Sequence, residues 1–430
     1  MWKIARIEKW LTNYVRLIVV AGCVLTGSVE AAEVVPRESA AAVKSLAEYL
    51  DGESEQRPKL SAQAFANVPL DRSSARRAGE LLIQDHKERI RRERAAEMEA
   101  RRLQIGKLQM PFSYIVYGKK PPQGRSLYLS LHGGGGAPKR VNDQQWENQK
   151  RLYKPAEGVY LAPRAPTNTW NLWHQGHIDA FFDRLIENLI VFEDVDPNRV
   201  YVMGYSAGGD GIYQLAPRMA DRWAAAAMMA GHPNDASPLS LRNIGFTLHM
   251  GGRDAAYKRN QVARKWKDIL AELQKADPKG YQHLVQIHED KGHWMDREDA
   301  VAVPWMAKFR RNLFSDRVVW KQDDVSHPRF YWLAVPQAQQ KGRSQVVATR
   351  DKQRIQVESQ DVSEIVVRLN DQMLNLDQDV SIQSNGETRY TGRPVRTIGV
   401  LARTLAERGD PSGIFSAEVS VQLKPKPASD

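Results

Sequence analysis

The sequence predicts an α/β fold with a doubly wound, mostly parallel sheet in the middle of the chain. Between Pro111 and Phe314, short apolar runs of strand length alternate with amphipathic segments of helical period. Each run is apolar at consecutive positions, which is typical of strands that are buried on both faces. With 42% hydrophobic residues among 430, the chain can also bury a large core.

Seven apolar runs in this stretch are strand candidates. They are Phe112–Tyr117, Ser126–Leu131, Val159–Ala162, Val200–Met203, Ala224–Met229, Phe246–Met250 and Leu284–Ile287. Two stripes of apolar residues at helical spacing lie between these runs and predict helices that cover the sheet. The stripes are Phe182, Leu185, Ile186, Leu189 and Ile190, and then Val262, Trp266, Ile269, Leu270 and Leu273.

The segments on either side of this stretch are predicted to fold differently. Residues 32–108 are polar and favour helix, with opposite charges four apart in pairs such as Glu88 and Arg92. Residues 317–430 alternate apolar and polar side chains, which predicts a small β-rich domain. Within that domain, Asn385-Gly386 favours a hairpin turn, and one helix is expected over residues 395–408. The central unit spans residues 109–316.

The amino terminus has the pattern of a secretory signal peptide, predicted to span residues 1–31. Basic residues precede the apolar run Leu17–Leu25, and the small residues that end at Ala31 suit signal peptidase. A competing interpretation is a lipobox, in which Cys23 would be lipidated. The apolar run is too short to span a membrane. We therefore expect a secreted or periplasmic protein, with a lipid anchor at Cys23 as the alternative.

The charge pattern and the single cysteine argue against a nucleic-acid-binding protein and against a fold stabilised by disulfides. The chain carries 62 Lys+Arg against 51 Asp+Glu, a formal net charge of +11. Because basic and acidic residues are interleaved, this excess favours solubility, and no nucleic-acid partner is expected. A single cysteine cannot form an intramolecular disulfide, so packing must stabilise the fold.

One motif on this scaffold points to nucleophilic catalysis. Gly204-Tyr205-Ser206-Ala207-Gly208 directly follows a strand candidate and precedes a segment that suits a helix. A serine hydroxyl becomes a useful nucleophile on a tight strand-to-helix turn, where glycines allow close backbone approach and the helix start favours negative charge. A purely structural glycine-rich turn is the alternative. The placement of the motif favours Ser206 as a nucleophile.

A second glycine-rich segment, from His132 to Gly136, ends an earlier strand candidate. Backbone without side chains can point N–H groups at an anionic oxygen, as an oxyanion hole requires. We expect the N–H of Ala207 and one from Gly133 or Gly134 to bind that oxygen, and His132 itself to be structural. The spacing lacks the third glycine of a dinucleotide-binding loop.

A nucleophilic serine needs a histidine as general base and an acid that orients it. The histidines between Ser206 and the β-rich domain are His232, His249, His283, His288 and His293. His293 lies just beyond the last strand candidate, on a loop that can return over the sheet, whereas His249 and His288 fall inside apolar strands. Asp254 follows the preceding strand and would fix the imidazole tautomer and stabilise the imidazolium. Asp235 is the fallback acid.

These motifs resemble those of the α/β-hydrolases, in particular the group of secreted polyhydroxybutyrate depolymerases, feruloyl esterases and predicted peptidases. Residues 196–201, ahead of the nucleophile motif, and residues 221–225, after it, are similar to the corresponding segments of that group. The resemblance covers about half of the chain. It implies Ser206 as nucleophile, Asp254 as acid, His293 as base and an oxyanion hole after His132. Secreted members of the group often carry disulfides, which this chain cannot form.

An aromatic loop offers a candidate substrate pocket. Trp170, Trp173 and His174 follow a strand that should end beside Ser206, and Tyr205 of the nucleophile motif joins them. His174 and His177 have the spacing of metal ligands, but no third ligand is evident. No metal or organic cofactor is therefore expected.

The expected function is that of a secreted serine hydrolase, cleaving a carboxylic ester of a small molecule or a polymer through a Ser-His-Asp triad and an acyl-enzyme intermediate. A serine peptidase of the same fold is an alternative, because the same triad can cleave amides. Another alternative is an inactive module whose β-rich domain binds a cell-surface polysaccharide. Against the second alternative, Trp320, Tyr331 and Trp332 of that domain are expected to be core residues, not an exposed platform.

Overall fold

The computed structural model describes residues 35–52 and 56–423. The predicted signal peptide, residues 1–31, and Cys23 within it lie outside the described residues. No helix in the described part of the chain is long and apolar enough to cross a membrane.

Two helices precede the central sheet, α1 (Pro36–Asp51) and α2 (Arg72–Glu99). Asp71 caps α2 by accepting the N–H of Ser74. The predicted helical segment 32–108 is wrong at its end, because Arg102–Ile105 form a strand that pairs with residues 108–111. Gly106, with φ +58°, makes the turn between the two strands. The charged residues around this short hairpin conceal its alternation in the sequence.

Eight strands form the central sheet, in the order β1-β2-β4-β3-β5-β6-β7-β8. They are β1 (Arg102–Ile105), β2 (Leu108–Tyr117), β3 (Arg125–Leu131), β4 (Gly158–Pro163), β5 (Val195–Tyr205), β6 (Ala225–Met229), β7 (Gly245–Gly251) and β8 (His283–His288). The neighbours from β4 to β8 pair in parallel, whereas β2 is antiparallel to both β1 and β4. This confirms the predicted mostly parallel sheet, and each of the seven strand candidates overlaps an observed strand.

Helices cover the two faces of this sheet. They are α3 (Lys139–Gln149), α4 (His177–Phe192), α5 (Ala207–Arg218), α6 (Arg259–Ala276) and α7 (Ala302–Met306). The predicted stripe of α4 is buried, and the stripe of α6 buries Trp266 and Leu270. Ile269 differs from the prediction, since it lies at the edge of the α6 stripe and is exposed.

Two smaller sheets follow, in the orders β10-β11-β14-β17 and β16-β15-β13-β12-β9. Their elements are β9 (Arg317–Lys321), β10 (Arg329–Phe330), β11 (Leu333–Ala334), β12 (Gln345–Asp351), β13 (Arg354–Gln360), β14 (Glu364–Leu369), β15 (Val380–Ser384), β16 (Glu387–Gly392), α8 (Ile398–Arg408) and β17 (Ala417–Gln422). Asn385 and Gly386, both at positive φ, connect β15 to β16. Trp320, Tyr331 and Trp332 are buried. α2 packs against both α4 and α8, so it joins the central sheet to this part of the chain.

Candidate active site

Ser206 lies between β5 and α5, at the carboxyl edge of the parallel sheet. Its backbone has φ +58° and ψ −121°, a conformation that is costly for a residue with a side chain. Hydrogen bonds hold it there, because its N–H donates to the carbonyl oxygen of Met229 (3.0 Å) and its own carbonyl accepts the N–H of Asp210 (2.9 Å). The turn therefore presents the hydroxyl of Ser206 above the end of the sheet.

The glycines of the motif are required by close backbone contacts. A Cβ on Gly208 would overlap the carbonyl oxygen of Leu131, and a Cβ on Gly204 would overlap the backbone of Gly208. Ala207 is the first residue of α5, so no helical turn precedes it to accept its N–H. This N–H therefore has no helical acceptor, which the predicted role in the oxyanion hole requires.

His293 lies between Ser206 and Asp254. Its Nε2 is 3.0 Å from Oγ of Ser206, and its Nδ1 is 2.7 Å from Oδ2 of Asp254. Asp254 is 3% exposed, whereas the side chain of His293 is 45% exposed. When Nδ1–H donates to the carboxylate, Nε2 is left as the acceptor that faces the hydroxyl, which is the tautomer that a general base requires. The structure thus brings together the three residues predicted as a triad.

Tyr205 supports the loop that carries His293. Its hydroxyl donates to the carbonyl oxygen of His293 (2.7 Å) and accepts the N–H of Met295 (3.0 Å). Burial raises the pKa of Tyr205, so the phenol stays protonated at neutral pH. The predicted place of Tyr205 in the substrate pocket is therefore corrected. Its side chain is 7% exposed, and its ring lies 6.1 Å from that of His293 and 5.5 Å from that of Trp294, so it packs beneath the loop of His293.

The other candidate bases and acids are engaged elsewhere. Asp235 forms an ion pair with Arg343 of the β-rich domain. His249 is buried, with Nε2 2.9 Å from the hydroxyl oxygen of Thr247, and burial lowers its pKa to about 3. His288 lies beside His249, with the facing ring nitrogens 3.3 Å apart.

Gly133 and Gly134 lie beside Ser206. A Cβ on Gly133 would be 3.2 Å from Cβ of Ser206. His132 fixes this backbone: its Nδ1–H donates to the carbonyl oxygen of Gly133 (2.6 Å), and its Nε2 accepts the N–H of Ala165 (3.2 Å). Burial lowers the pKa of His132 to about 3, which keeps the ring neutral. Because N–H and C=O of a trans peptide point in opposite directions, fixing the Gly133 carbonyl also orients the Gly134 N–H.

Asn142 of α3 holds the rest of the glycine loop, and sequence reasoning missed it. It is fully buried, its Oδ1 accepts the N–H of Gly135 (3.1 Å), and its Nδ2 donates to the carbonyl oxygens of Ala137 (2.8 Å) and Gly135 (3.1 Å). Gly134 has φ +113°, and a Cβ there would overlap the Asn142 side chain. One polar residue on the covered face of a helix is a weak signal in a sequence.

The predicted pocket residues of the aromatic loop separate in the structure. Trp170 is 63% exposed, and its backbone lies against Gly135 and Gly136. Trp173 is buried, and its indole N–H donates to the carbonyl oxygen of His132 (2.9 Å), so it supports the glycine-rich segment that starts at His132 and does not line a pocket. His174 meets the Trp170 ring edge-on at 5.5 Å, and burial lowers its pKa to about 4. Among the described residues, no three potential ligands form a metal-binding group.

Two further exposed aromatic side chains lie close in the sequence to His293 and Asp254. Trp294 follows His293 directly and is 50% exposed, with its ring 5.5 Å from that of Tyr205. Tyr257 lies three residues after Asp254, has φ +54° and is 77% exposed. Trp170, Tyr257 and Trp294 are the exposed large aromatic side chains of the described residues. Each of the three lies near a predicted site motif in the sequence, and this proximity could have been used to predict them.

A pair of charged residues lies near the nucleophile. Asp210 is one helical turn beyond Ser206, and its Oδ1 accepts the backbone N–H of His232 (2.6 Å). Burial raises the pKa of Asp210, and Arg259, among other nearby groups, acts in the opposite direction. The guanidinium of Arg259 lies 4.8 Å from the ring centre of Tyr257, and its Nε is buried without a hydrogen-bond partner.

Solved structures that resemble about half of this chain include esterases. One titled as a thermostable esterase is 19% identical with a TM-score of 0.38, and the match covers 49% of this chain and 62% of that one. A ferulic acid esterase is 16% identical, with a TM-score of 0.33 and coverages of 48% and 95%. An acetyl xylan esterase from Paenibacillus sp. R4 is 12% identical, with a TM-score of 0.32 and coverages of 47% and 80%. No protein-family model matches the chain, and no curated protein matches it.

Proposed function

We propose that this protein is a serine hydrolase that cleaves carboxylic esters, with Ser206 as nucleophile, His293 as general base and Asp254 as the acid that orients it. The observation that carries the proposal is the continuous hydrogen-bonded series from Asp254 through His293 to Ser206, at 2.7 and 3.0 Å. An exposed imidazole held by a buried carboxylate, beside a strained serine, is the arrangement that nucleophilic catalysis needs.

In the first half of the reaction, Oγ of Ser206 attacks the carbonyl carbon of the ester while Nε2 of His293 takes the hydroxyl proton. The carbonyl oxygen becomes an anion beside the N–H of Ala207 and the backbone of Gly133 and Gly134. When the carbon–oxygen bond to the alcohol breaks, His293 returns the proton to the leaving oxygen, and the acyl group stays on Ser206.

In the second half, His293 takes a proton from water, and the resulting hydroxide attacks the acyl carbon. Collapse of the second tetrahedral intermediate breaks the bond to Ser206 and releases the carboxylic acid, while the proton on His293 passes to the serine oxygen. Asp254 keeps the imidazole in the required tautomer through both halves. The predicted signal peptide, residues 1–31, leads us to propose that the reaction takes place outside the cytoplasm.

The test is labelling with a fluorophosphonate probe together with turnover of p-nitrophenyl esters. Wild-type protein should be labelled and should hydrolyse the esters, and Ser206→Ala should lose both. Ser73→Ala, which changes an exposed serine of α2, is the matched control and should keep both. Continued labelling of Ser206→Ala would disprove the assignment. Aminoacyl nitroanilides form a second arm, and preferential cleavage of these amides would replace the esterase by a peptidase.

A further inference from the structure

A cleft of about 870 Å³ lies where α2, the central unit and the β-rich domain meet. Helix α2 lines it with Arg72 and Arg76, the central unit with Asn198, and the β-rich domain with Ser416. A cleft of this volume suits a small molecule. Because Asn198 lies near the amino end of β5 and Ser206 follows its carboxyl end, the cleft and the candidate active site lie at opposite ends of this strand.

Ser416 brings an unpaired hydroxyl group to the lining of the cleft. The residue is 4% exposed, and its Oγ is buried without a hydrogen-bond partner. Its backbone is fixed on both sides, since its N–H donates to the carbonyl oxygen of Leu369 (3.0 Å) and its carbonyl accepts the N–H of Thr397 (2.9 Å). A buried hydroxyl without a hydrogen bond is costly, so this one indicates that a polar group of a ligand binds here.

The charged residues of the lining leave an excess of positive charge. Three of them are already paired: Asp371 with Arg396 (2.6 Å), Glu80 with Arg77 (3.2 Å) and Arg311 with Asp410 (2.6 Å). The other two are arginines of α2. Arg72 reaches only Asp371, at 3.8 Å, and Arg76 forms no ion pair within the part of the chain that the structure describes. Because a guanidinium group is always charged at neutral pH, the cleft favours an anion.

The hydroxyl group and the two arginines approach the same part of the cleft. The N–H of Ser416 is bonded to Leu369, and Nη2 of Arg72 lies 3.5 Å from the carbonyl oxygen of Asp371, two residues further along the chain. Arg76 is four residues after Arg72, so both side chains lie on one face of α2. The polar groups that could bind an anion are therefore grouped.

The rest of the lining includes an apolar wall formed by Leu313, Phe314 and Ile414. Leu313 is 3% exposed, and the ring of Phe314 meets that of Phe415 edge-on at 5.8 Å, so the core holds this wall in place. An inorganic anion would leave the wall in contact with water, whereas a purely apolar molecule would leave the hydroxyl of Ser416 unpaired.

We propose that this cleft is a second binding site, which takes a small amphipathic anion with a carboxylate or phosphate head group. Arg72 and Arg76 bind the head group, since guanidinium groups form paired hydrogen bonds with both kinds of oxyanion. The hydroxyl of Ser416 donates a hydrogen bond to it, and the alkyl or aromatic body lies against Leu313 and Phe314. This site does not depend on the proposed esterase function.

The experiment measures binding of octanoate and of octyl phosphate to the full-length wild-type chain by isothermal titration calorimetry. At least one should bind, and the tighter of the two identifies the head group. Octyltrimethylammonium, which has the same tail and a cationic head, and acetate, which lacks the tail, should bind at least about tenfold more weakly. Arg76→Gln should weaken binding about threefold to tenfold. Arg354→Gln is the matched control, because it removes an exposed arginine of β13 outside the cleft, and it should leave binding unchanged.

Ser416→Ala distinguishes a ligand-binding hydroxyl from a structural one. Because Oγ has no partner within the protein, its removal should leave the unfolding temperature of the free chain equal or higher, while binding of the anion weakens about threefold. A lower unfolding temperature with unchanged binding would contradict the proposal.

Three other results would overturn the proposal. They are the absence of binding for both anions, equally tight binding of octyltrimethylammonium, and binding that His293→Ala weakens but Arg76→Gln does not. The last result would place the anion in the candidate active site. The esterase proposal is tested separately, since none of these measurements follows turnover.

Discussion

Replacing Tyr205 with phenylalanine removes one oxygen atom from beneath the loop that carries His293 and leaves the ring in place. That oxygen now donates to the carbonyl of His293 at 2.7 Å and accepts the N–H of Met295 at 3.0 Å. Met295 is fully buried, so water cannot replace the lost acceptor. The Tyr205→Phe variant therefore tests how His293 is positioned, without changing the imidazole that would take the proton.

Two hydrogen bonds at about 1 kcal/mol each, together with a buried N–H left unpaired, predict a loss of about 2–3 kcal/mol in the free energy of unfolding. A part of this energy now holds the loop of His293 in place within the folded state. If about 1.4 kcal/mol of it is lost from the productive loop conformation, kcat falls about tenfold. KM should change little, because Tyr205 is buried beneath the site.

The assay combines kcat and KM on a p-nitrophenyl ester with denaturant unfolding. Tyr213→Phe is a close control, because the Tyr213 hydroxyl is buried in α5 without any hydrogen-bond partner. Its removal should leave stability equal or slightly raised and kcat unchanged. If Tyr205→Phe keeps kcat within about twofold of wild type while losing the expected stability, then Tyr205 has no part in positioning His293.

Three further outcomes follow from the structure. Asp254→Asn should lower kcat by about three to four orders of magnitude without unfolding the protein, as judged by turnover and circular dichroism, because the amide favours the wrong tautomer of the base. Gly208→Ala should yield no soluble folded protein on size-exclusion chromatography, whereas Gly136→Ala, where a Cβ would have at least 3.7 Å of space, should fold normally. His132 and His249 have folded-state pKa values of about 3 against an ordinary value of 6.5, so the unfolded chain binds protons first as the pH falls. Stability should thus be complete above about pH 6.5 and decline toward pH 3, with each histidine costing about 2 kcal/mol at pH 5. His249→Gln should flatten the profile of Tm against pH, and an unchanged profile would contradict this reasoning.

The sheet and the triad could be predicted because their signals are local and their geometry is general. Buried parallel strands appear as apolar runs, and their carboxyl ends meet at one edge of the sheet. Ser206, Asp254 and His293 each follow such a run, so their meeting required only the strand order. The need for glycines around Ser206 could also be predicted, because a tight strand-to-helix turn brings backbone too close for a side chain, as the contacts of these glycines show.

The parts that could not be predicted depend on which way a side chain points. Trp170 and Trp173 lie three residues apart in one irregular loop, yet the first faces solvent and the second supports the carbonyl of His132. No period relates loop positions to faces, so a sequence pattern cannot separate the two. Tyr205 was assigned to the pocket because it adjoins Ser206 in the sequence, whereas its hydroxyl group is hydrogen-bonded to the loop of His293. Asn142 contributes through three hydrogen bonds to the backbone of Gly135 and Ala137, just ahead of its own helix, and no sequence pattern marks such bonds.

Buried ion pairs join the central unit to the β-rich domain. Arg408 contacts Asp221 at 2.7 Å, and Arg311 contacts Asp410 at 2.6 Å, with all four side chains at most 5% exposed. Burial alone would raise the pKa of Asp221, but the surrounding arginines lower it to about 2. Removing one partner of such a pair leaves an unpaired charge in the interior, which costs about 3–5 kcal/mol.

A binding module appended to an enzyme normally meets it through a small polar contact and a linker. Here buried charges of each unit form ion pairs with charges of the other, and α2 packs on both. The β-rich domain also reaches the edge of the sheet where the candidate site lies, because Arg343 pairs there with Asp235, on the loop that begins with His232. The domain is therefore better understood as part of the scaffold that holds the loops around Ser206 than as a separate polysaccharide-binding unit.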